Sequence, residues 1–538
     1  MNTSLKSPST KPSVTSRTIG IDLGTTRSVV AFIDAHGYPQ TVINGDGDMT
    51  TPSAVAFEGG TVLVGKDAIK SLSITPDRVV QFAKREIGTQ RYMISVDGVD
   101  YPAELIESFI LGRLRRDAER HFGETIQDAV ITVPAFFNEP KRRATMDAGM
   151  LAGLNVKAVI NEPTAAALAY GVEHGLMNEE GVFANSQTVL VYDLGGGTFD
   201  VSILKIKGDS IDVIAVDGNS RLGGLDWDEC ILEWISEQFR TQCKASNQQL
   251  KASRGILLKE AEEIKHSLTS REKVAVKIRL DEHILQTHIN RALFNSLTAH
   301  LLDRTRFTLR KVLDESKLKW NQIERVLLVG GSTRMPQVIE MLRKETKSIL
   351  DQSVSPDQAV AYGAAVYGRI LSERDEMDFD LDGISETGKD GAMRITDVNA
   401  HHLGVLGVEL KTGRPQGQVI IPKNTPLPAM NIARFKTAKP NQKSVVVKVI
   451  EGGDLRGQNA TTIGTFSVRD LPPGLPAGSP VDVVLRYNHD GIIQAEAIVV
   501  ATGKKNHIEI KRQAGLSLDE IDGWQDASKD IFEALGLD

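Results

Sequence analysis

The chain has few cysteines, and it contains no long apolar run. Cys230 and Cys243 are its only cysteines in 538 residues, too few for a disulfide framework and without metal-ligand spacing, which favours a reducing compartment. No apolar stretch approaches the roughly 20 residues that a membrane span requires. Residues 1–16 are rich in Ser, Thr, Pro and Lys and lack the apolar centre of a secretory signal. We therefore expect a cytoplasmic protein with a disordered tail over residues 1–16.

Basic residues are not in excess either. The net charge is −7, with 25% charged and 41% hydrophobic residues, and these ordinary globular values argue against a general binder of nucleic acid or anionic membranes. A chain of 538 residues is too long for one hydrophobic core, so we expect several domains.

The pattern of the sequence changes twice along the chain. Strand-like and helical segments alternate over residues 17–371, as in an α/β fold. Residues 372–397 are acidic and rich in turn formers, which predicts a solvated linker. Short alternating strands over residues 398–513 predict a β-sandwich, and residues 514–538 predict one short helix that begins with a Ser cap.

One helix within the α/β region illustrates its packing. From Glu104 to Phe122, apolar residues recur at helical spacing, with Arg and Glu between them on the face expected to be wetter. This pattern predicts a helix that serves the fold.

The most informative feature is a phrase that occurs twice. IGIDLGTTRSVVAFI begins at Ile19 and LVYDLGGGTFDVSIL at Leu190, with Asp-Leu-Gly in register at Asp22 and Asp193. Each copy runs a strand into a small-residue turn and back into a strand, as in a hairpin. Such turns expose main-chain N–H groups to an anion, and the turn residues concerned are Gly24, Thr25, Thr26, Gly195, Gly196, Gly197 and Thr198.

Two facing hairpins would enclose a phosphate group. Carboxylates as near as Asp22, Asp193 and Asp200 would repel phosphate, which suggests that Mg²⁺ with its waters lies between them. The alternative for either copy alone is an ordinary glycine turn.

Three further regions carry a family resemblance. They are VPAFFNEPKRRATMDAG at Val133, NEPTAAALAYG at Asn161, and VLLVGGSTRMPQV at Val326 followed by SPDQAVAYGAAV at Ser355. Together with the two hairpins they resemble the ATPase domain of the heat-shock protein 70 family of molecular chaperones, in the actin-like ATPase superfamily. The resemblance is dense from residue 19 to about 370 and implies two lobes of duplicated ribonuclease-H-like fold closing on MgATP, then a β-sandwich and a short helix.

The resemblance assigns roles to individual residues. Lys84, in QFAKREIG, matches the family's catalytic lysine, and Glu162 matches a carboxylate near the metal and the attacking water. Thr198 and Asp193 complete the implied catalytic set. Asp22, Asp193 and Asp200 match acids that hold Mg²⁺ through water, with K⁺ alongside in related proteins. An ordinary surface ion pair is the alternative for each charged residue outside this frame.

The same resemblance implies an ATP or ADP site for the adenosine as well as for the phosphates. Its members are Gly224, Glu262, Lys265, His266, Thr269, Gly330, Gly331, Ser332, Arg334 and Asp357. Arg334 would stack on the adenine, and His266 stands where family members more often have Arg or Ile. Spacing alone places Glu262, Lys265 and Thr269 on one helical face, which also fits an ordinary amphipathic helix.

Pro134 and Arg142 resemble a proline switch and its arginine, which carry the ATP signal to the linker in this family. The linker itself departs from the family pattern of several leucines before an aspartate, because this chain has AMRITD. Arg394 and Thr396 interrupt the apolar strip, so the expectation is weaker coupling between the domains.

In the β-region, the resemblance places Phe435, Val445 and Val447 in a peptide-binding cleft. Strand alternation puts Val445, Val447 and Val449 on one face, which suits a cleft or a plain core. The family continues through a long helical lid, whereas this sequence stops at Asp538, from which we expect weak or transient capture of clients.

The leading interpretation is a stress-response chaperone that hydrolyses ATP slowly and thereby changes its affinity for unfolded, apolar polypeptide. A J-domain co-chaperone and a nucleotide exchange factor are the further partners implied; nucleic acid and membrane are not. One alternative is a nucleotide-gated regulator or co-chaperone with little peptide cycling. A more remote one is an actin-fold small-molecule kinase, which would need a base for the substrate hydroxyl.

Overall fold

The computed structural model describes most of the chain from residue 17 onward. The predicted tail, residues 1–16, lies outside the described part. The described ranges are 17–89, 92–176, 183–347, 349–379, 393–409, 414–454, 456–469, 471–488, 491–508, 515–517 and 519–525.

Residues 19–173 build a first lobe around a six-stranded sheet. Its elements in chain order are β1 (Ile19–Asp22), β2 (Arg27–Ile33), β3 (Pro39–Thr41), β4 (Thr51–Pro52), β5 (Ala54–Glu58), β6 (Thr61–Val64), α1 (Lys66–Ser71), β7 (Val79–Gln81), β8 (Met93–Val96), β9 (Val99–Pro102), α2 (Ala103–Phe122), β10 (Asp128–Val133), α3 (Glu139–Leu151), β11 (Asn155–Asn161) and α4 (Glu162–Glu173), with 3₁₀ turns at Pro76–Arg78 and Ala83–Arg85. The sheet order is β11-β10-β1-β2-β3, with β4 paired to β2. β1 and β2 are antiparallel, with Asp22 opposite Val29, so the first predicted hairpin is confirmed.

Helix α2 confirms the predicted periodicity but not the predicted exposure of its acids. Ile106, Ile110 and Leu114 are buried, as expected, but Glu104 and Glu107 are also buried, at 3% and 1% exposure. The expectation that the glutamates between the apolar positions lie on the wetter face is therefore wrong for these two. The cause is that α2 packs against the 3₁₀ turn Ala83–Arg85 as well as against the sheet, so its first turns are covered on more than one side.

Residues 183–351 build a second lobe around another six-stranded sheet. Its elements are β12 (Phe183–Leu194), β13 (Phe199–Gly208), β14 (Ser210–Asn219), α5 (Gly224–Gln238), a π-helical turn (Phe239–Cys243), α6 (Asn247–Ala252), α7 (Arg254–Ser270), β15 (Lys273–Leu280), β16 (His283–Asn290), α8 (Arg291–Ser316), a 3₁₀ turn (Trp320–Gln322), β17 (Arg325–Val329), a 3₁₀ turn (Gly331–Arg334), α9 (Pro336–Thr346) and β18 (Ile349–Asp351). The next helix, α10 (Ala359–Phe379), returns to the first lobe and packs against β1, β2 and β10. β12 and β13 are antiparallel, with Asp193 opposite Asp200, which confirms the second predicted hairpin.

The two lobes share a core. Val130 of the first sheet and Val189 and Val191 of the second belong to one buried cluster, together with alanines of α4 and α10. Small side chains let these two helices approach closely: a Cβ atom at Gly363 of α10 would lie 1.7 Å from the Ala165 carbonyl oxygen. The two hairpins are therefore held against each other by α4 and α10.

Regular structure enters both ends of the predicted linker. Helix α10 continues to Phe379, and β19 (Arg394–Thr396) extends the second sheet by pairing parallel to β14. Met393 is buried and Ile395 packs against the core shared by the lobes, whereas Arg394 points outward. Strand alternation thus separates the apolar from the charged residues of AMRITD, so the segment pairs with the second sheet although Arg394 and Thr396 interrupt its apolar strip.

The remaining described strands form two four-stranded sheets. They are β20 (Leu403–Val408), β21 (Pro415–Ile421), β22 (Ala429–Lys436), β23 (Ser444–Glu451), β24 (Thr461–Arg469), β25 (Pro480–Tyr487), β26 (Ile493–Val499) and β27 (Lys504–Ile508). Their orders are β21-β20-β23-β24 and β22-β25-β26-β27. One buried cluster spans both sheets, so they pack face to face as a sandwich.

The final described residues, 519–525, are helical. Ser517 caps this turn, because its hydroxyl accepts from the Glu520 amide at 3.3 Å and the Glu520 carboxylate accepts in return, as predicted. Leu516 and Ile521 pack against Leu151 of the first lobe. Among the described residues, no helix combines the length and apolar character needed to cross a membrane.

Candidate functional site

The turn between β1 and β2 depends on a glycine for its own backbone. A Cβ atom at Gly24 would lie 1.9 Å from the Arg27 carbonyl oxygen, so no other residue fits without a change of the turn. The Ser28 hydroxyl accepts from the Gly24 amide at 3.2 Å, and the Ser53 hydroxyl donates to the Gly24 carbonyl at 2.7 Å. The turn is thus fixed from both sides.

The turn between β12 and β13 depends on glycines because of its neighbour. A Cβ atom at Gly196 would lie 2.2 Å from Thr26 Oγ1, and one at Gly197 would lie 2.3 Å from Thr25 Oγ1. The threonines of the first turn therefore occupy the space that the glycines of the second leave free. The two predicted phosphate turns do face each other, as the duplicated phrase predicts.

Three glycines of the second lobe pack directly behind this contact. A Cβ atom at Gly223 would lie 2.6 Å from the Gly197 amide nitrogen, and one at Gly330 would lie 2.4 Å from the Leu194 carbonyl oxygen. The Gly224 amide and the Ser332 hydroxyl both donate to the Gly195 carbonyl, at 2.9 and 3.0 Å. The Gly195 carbonyl therefore accepts two hydrogen bonds from within its own lobe.

Lys84 lies beside this contact and is 2% exposed. Its ammonium donates to Glu162 Oε1 at 2.8 Å. Burial alone would lower the pKa of Lys84, but the carboxylates of Glu162 and Asp22 outweigh it and raise that pKa. Lys84 is thus a fixed positive charge at the base of the cleft.

The next residue, Arg85, ties the two lobes together. Its guanidinium donates to the Gly197 carbonyl at 3.1 Å and to Asp226 at 2.6 Å. The sequence motifs did not single out Arg85, although its place beside Lys84 was a usable signal.

Three aspartates of the hairpins form an acidic group around Lys84. Burial, with Glu162 as the next cause, raises the pKa of Asp22 to about 7 and raises the pKa values of Asp193 and Asp200 well above the ordinary range. The Asp200 Oδ2 atom is buried and has no hydrogen-bond partner among the described residues. Uncompensated carboxylates of this kind call for a cation.

These acids fit a hydrated magnesium ion. Within the described part of the chain, no three His, Cys, Asp or Glu side chains lie close enough to hold a metal directly, whereas Mg²⁺ commonly keeps several of its waters. Asp200 Oδ2 is an acceptor available to such a water.

The predicted adenosine residues divide into a buried and an exposed set. Lys265 is buried, and its ammonium donates to Asp228 at 2.7 Å and to the Gly224 carbonyl at 3.1 Å. A Cβ atom at Gly224 would lie 3.1 Å from that ammonium. Asp228, which the motifs did not reveal, therefore fixes Lys265.

The exposed set lies across from α7. Arg334 and Asp357 form an ion pair of 2.8 Å and are each about half exposed, and a Cβ atom at Gly331 would lie 3.0 Å from Asp357. Glu262 and His266 lie on the facing side of α7, 4.0 Å apart. Thr269 follows one turn later, with its hydroxyl bonded to the Lys265 carbonyl at 3.3 Å.

Arg142 joins the cleft to the β-sandwich. Its guanidinium donates to the carbonyls of Ala135 and Phe137, at 3.3 and 3.1 Å. It also donates to Oδ1 of Asn161, the residue that precedes Glu162, at 2.5 Å. A Cβ atom at Gly491 of the sandwich would lie 2.8 Å from the Arg142 side chain. The turn that begins at Pro134, whose carbonyl accepts from the Phe137 amide at 3.0 Å, thus lies between the cleft and the sandwich.

Phe136 contacts both the cleft and the segment that leads into the β-sandwich. Its amide donates to Asp200 Oδ1 at 3.1 Å, and its carbonyl lies 2.9 Å from His401 Nε2. The two rings also meet edge to face, with centroids 4.3 Å apart and an angle of 60° between their planes. Neither residue was predicted; the two consecutive histidines at 401 and 402 in an otherwise apolar segment were the available signal.

The contact between the sandwich and the lobes is rich in buried polar groups. Asp217 accepts from Lys423 at 2.7 Å and from Lys311 at 2.6 Å. Glu451 accepts from the Glu139 amide at 2.9 Å and from the Tyr487 hydroxyl at 3.0 Å. Thr164 donates to Asp397 at 3.1 Å.

The predicted peptide residues lie against the sandwich core. Val447 is 2% exposed, and Phe435 and Val445 are partly buried against the same cluster. The predicted common face of Val445, Val447 and Val449 is confirmed by their burial pattern. Val447 is therefore a core residue in this arrangement, whereas Phe435 and Val445 retain some exposed surface.

Two facing glycine turns, a buried lysine and a group of carboxylates lie between two lobes, each of which carries one copy of the duplicated hairpin. The family described as Hsp70 protein matches residues 18–533. The chaperone protein DnaK of Thermotoga petrophila is 36% identical over 512 residues, which cover 94% of this chain and 82% of that protein. DnaK of Halobacterium salinarum is 37% identical over 515 residues, which cover 94% of this chain and 77% of that protein.

The chain therefore belongs to the Hsp70 family. Proteins of this family combine a two-lobed, actin-like ATPase with a β-sandwich and bind ATP or ADP with Mg²⁺.

Proposed function

We propose that this protein is an ATP-dependent molecular chaperone that hydrolyses MgATP slowly and thereby gates the binding of apolar peptide. The observation that carries the proposal is the contact between the two turns, in which Thr25 and Thr26 fill the space left by Gly197 and Gly196. A pair of glycine turns that face each other beside a buried lysine offers main-chain amides and one positive charge, which suits a triphosphate.

Each part of the cleft has a role in this proposal. The amides of Thr25, Thr26, Gly196, Gly197 and Thr198 bind the β- and γ-phosphates. Lys84 polarises the γ-phosphate and positions the attacking water, while Glu162 holds the Lys84 ammonium in place. Asp22, Asp193 and Asp200 hold the waters of Mg²⁺, which supplies charge neutralisation for the phosphates when bound, with K⁺ as a further ion.

The adenosine is proposed to lie between α7 and the Gly331–Arg334 turn. Glu262, His266 and Thr269 line one side, and Arg334 stacks on the adenine from the other. Lys265 acts on the sugar edge only if it leaves Asp228, because its ammonium is already engaged at 2.7 Å. Asp357 orients Arg334 through their ion pair.

We further propose that residues 17–371 are the ATPase domain, 372–397 the linker, 398–513 the peptide-binding domain and 514–538 the start of a lid helix. The β19–β14 pairing and the buried Met393 support coupling through the linker. Pro134 and Arg142 carry the nucleotide state toward the sandwich, since Arg142 bonds both the Pro134 turn and the residue before Glu162.

Unfolded, apolar polypeptide is the proposed ligand of the sandwich, with Phe435 and Val445 as its contacts. Val447 would support that surface from the core. A J-domain co-chaperone and a nucleotide exchange factor are the proposed protein partners, by analogy with the family. The free cysteines Cys230 and Cys243 suit a reducing compartment such as the cytoplasm.

The test is single-turnover ATP hydrolysis with and without an unfolded apolar peptide. We expect Lys84→Ala to abolish hydrolysis and peptide to accelerate it in the wild type. Lys70→Ala is the control, because Lys70 also pairs with a carboxylate at 2.8 Å but is largely exposed. Hydrolysis that needs Lys84 but ignores peptide would favour the nucleotide-gated regulator, and phosphate transfer to a metabolite would favour the kinase.

A further inference from the structure

Helix α2 carries two buried carboxylates one turn apart, and both bond the segment that contains Lys84. Glu104 Oε1 accepts from the main-chain amide of Gly88 at 3.1 Å. Glu107 accepts from the main-chain amide of Lys84. This segment follows an uncommon path, because Phe82 just before it has a left-handed backbone, with φ of 64°. The two carboxylates therefore fix the two ends of a conformation that the sequence does not favour locally.

Glu107 differs from Glu104 in what surrounds its second oxygen. The Oε2 atom of Glu107 is buried and has no hydrogen-bond partner among the described residues. The ionisable groups that face this carboxyl are Lys84 from the 3₁₀ turn, Glu104 from its own helix, and Tyr92. Lys84 is the cation of this set, so its charge and that of Glu107 are coupled.

We propose that Glu107 is a positioning residue for Lys84: it holds the lysine main chain by a hydrogen bond, and its charge competes with nucleotide phosphate for the lysine ammonium. The inference rests on the proposed function, in which that ammonium acts on the γ-phosphate. Lys84 then stands between two sets of carboxylates, with Glu162 at 2.8 Å on the side of the cleft and Glu107 on the side of α2.

The competition depends on the protonation of Glu107. Burial raises the pKa of this carboxyl to about 8, against the opposing effect of Lys84. Below that pH the carboxyl is neutral and leaves the Lys84 ammonium to Glu162 and the phosphate. Above it, the ionised carboxylate attracts the ammonium and adds negative charge behind a site that has to accept phosphate. Hydrolysis should therefore slow as Glu107 loses its proton.

The experiment is the pH profile of single-turnover hydrolysis from pH 7 to 9 at saturating MgATP. In the wild type we expect the rate to fall about threefold or more over this range, as the ionised fraction of Glu107 rises. Glu107→Gln retains a hydrogen-bond acceptor but cannot ionise, so its rate should fall less than that of the wild type over this range and should exceed the wild-type rate at pH 9. Asp22, with a pKa of about 7, and Lys141, whose pKa burial lowers to about 8, are the same in both proteins, so the difference between the two profiles belongs to Glu107. Glu107→Asp retains the charge, so it should keep the fall but lose rate throughout, because the shorter side chain reaches the amide poorly.

Glu104→Gln is the matched control. It changes a carboxyl on the same helix that bonds the same segment, but at Gly88 and away from the Lys84 amide, so the fall between pH 7 and 9 should remain. A wild-type profile in Glu107→Gln, or an equal flattening in Glu104→Gln, would overturn the inference. If Lys84→Ala abolishes hydrolysis and Glu107→Gln keeps the wild-type profile, only the role of Glu107 is contradicted. If Lys84→Ala retains full activity, the proposed role of Lys84 itself is contradicted.

One measurement needs no variant that has to fold. The side-chain carboxyl carbons of ¹³C-glutamate in the full-length wild type should include one that titrates near pH 8 and changes on addition of a non-hydrolysable MgATP analogue, which carries the γ-phosphate. Glu451 has its pKa raised by burial to about 7 and is distinguished by the lack of contact with the cleft. If no glutamate titrates between pH 7.5 and 9, the charge of Glu107 does not change over the range of the rate profile and the proposed competition fails.

Discussion

The nucleotide cleft and the contact with the β-sandwich both bury charge, but they balance it differently. In the cleft, Asp200 has a buried oxygen without a partner among the described residues, and burial raises its pKa well above the ordinary range. At the sandwich contact, burial would also raise the pKa of Asp217, but Lys423 and Lys311 outweigh it and lower that pKa. An acid that the protein leaves unpaired is available to a ligand, whereas an acid paired with two lysines holds two parts of the chain together.

The largest expected effect is in the cleft, from Gly197→Val. Even a Cβ atom at this position would lie 2.3 Å from Thr25 Oγ1, so the two turns would be forced apart. We expect the affinity for ATP to fall about 100-fold, since overpacking costs about 1–3 kcal/mol or more. Isothermal titration with MgATP measures this.

Gly195→Ala sharpens the same point. The nearest atom to a Cβ at Gly195 is the Thr198 carbonyl oxygen at 3.7 Å, an ordinary contact. Its loss of affinity should be several times smaller than that of Gly197→Val. Equal losses would mean that the facing threonines are not what limits the second turn.

The second effect is at the sandwich contact, from Asp217→Asn. The change removes the charge that Lys423 of the sandwich and Lys311 of α8 both bond; only Lys423 is largely buried, and its charge-assisted hydrogen bond contributes about 2 kcal/mol. We expect the sandwich to leave the lobes more often, which faster hydrogen exchange of the amides in Arg394–Thr396 would report. Asp482→Asn is the control, because Asp482 bonds Arg434 within the sandwich itself and should leave that exchange unchanged.

A third effect comes from two neutral groups at the same contact, whose pH dependences oppose each other. Burial raises the pKa of Glu451 to about 7, so its contribution to docking is complete below its ordinary pKa and is lost as the pH rises through 7. Burial lowers the pKa of His401 to about 4, so its contribution is complete above its ordinary pKa and is lost as the pH falls through 4. In the wild type the two slopes cancel between about pH 4.5 and 6.5.

Single substitutions should expose each slope. Between pH 5 and 6.5, docking should strengthen about tenfold in Glu451→Gln and weaken about tenfold in His401→Gln, on the basis that one pKa unit corresponds to about 1.4 kcal/mol. The protection of the Arg394–Thr396 amides again provides the measurement. A flat response in both variants would show that these groups remain hydrated at the contact.

The smallest effect concerns the linker. Arg394 points outward, with Asp209 at 3.5 Å across a largely exposed pair, so Arg394→Ser should change docking by less than about 0.5 kcal/mol. Ile395→Ser, one residue on, removes a side chain that packs against the core and should cost about 1–2 kcal/mol. Equal effects would contradict the alternation of this strand.

These comparisons also show what the sequence predicts well. The duplicated phrase predicts both hairpins, the alternation of their strands and the positions of Asp22 and Asp193, because a local pattern determines each of these features. The family resemblance adds Lys84 and Glu162, which lie far apart in the sequence yet bond at 2.8 Å.

Residues whose role depends on tertiary contacts were not predicted. Glu107 reads as an exposed helical residue until the 3₁₀ turn Ala83–Arg85 covers it, and Phe136 reads as one more apolar residue until its amide bonds Asp200 and its carbonyl meets His401. The same holds for the linker: its pairing with β14 uses main-chain groups, which a count of leucines does not assess. Such roles follow from neighbours that only the folded chain brings together.

The fit of Thr25 and Thr26 into the space left by Gly197 and Gly196 also has an evolutionary consequence. Neither turn can acquire a larger side chain alone, because the other turn already occupies the volume. Variants in a saturation library should therefore display strong epistasis between positions 25 and 197 and between 26 and 196. A larger residue at 196 or 197 should be tolerated only together with a smaller residue at the facing position. The two halves of the duplication have become interdependent, and a chimaera that exchanges only one of them with a relative should lose nucleotide binding.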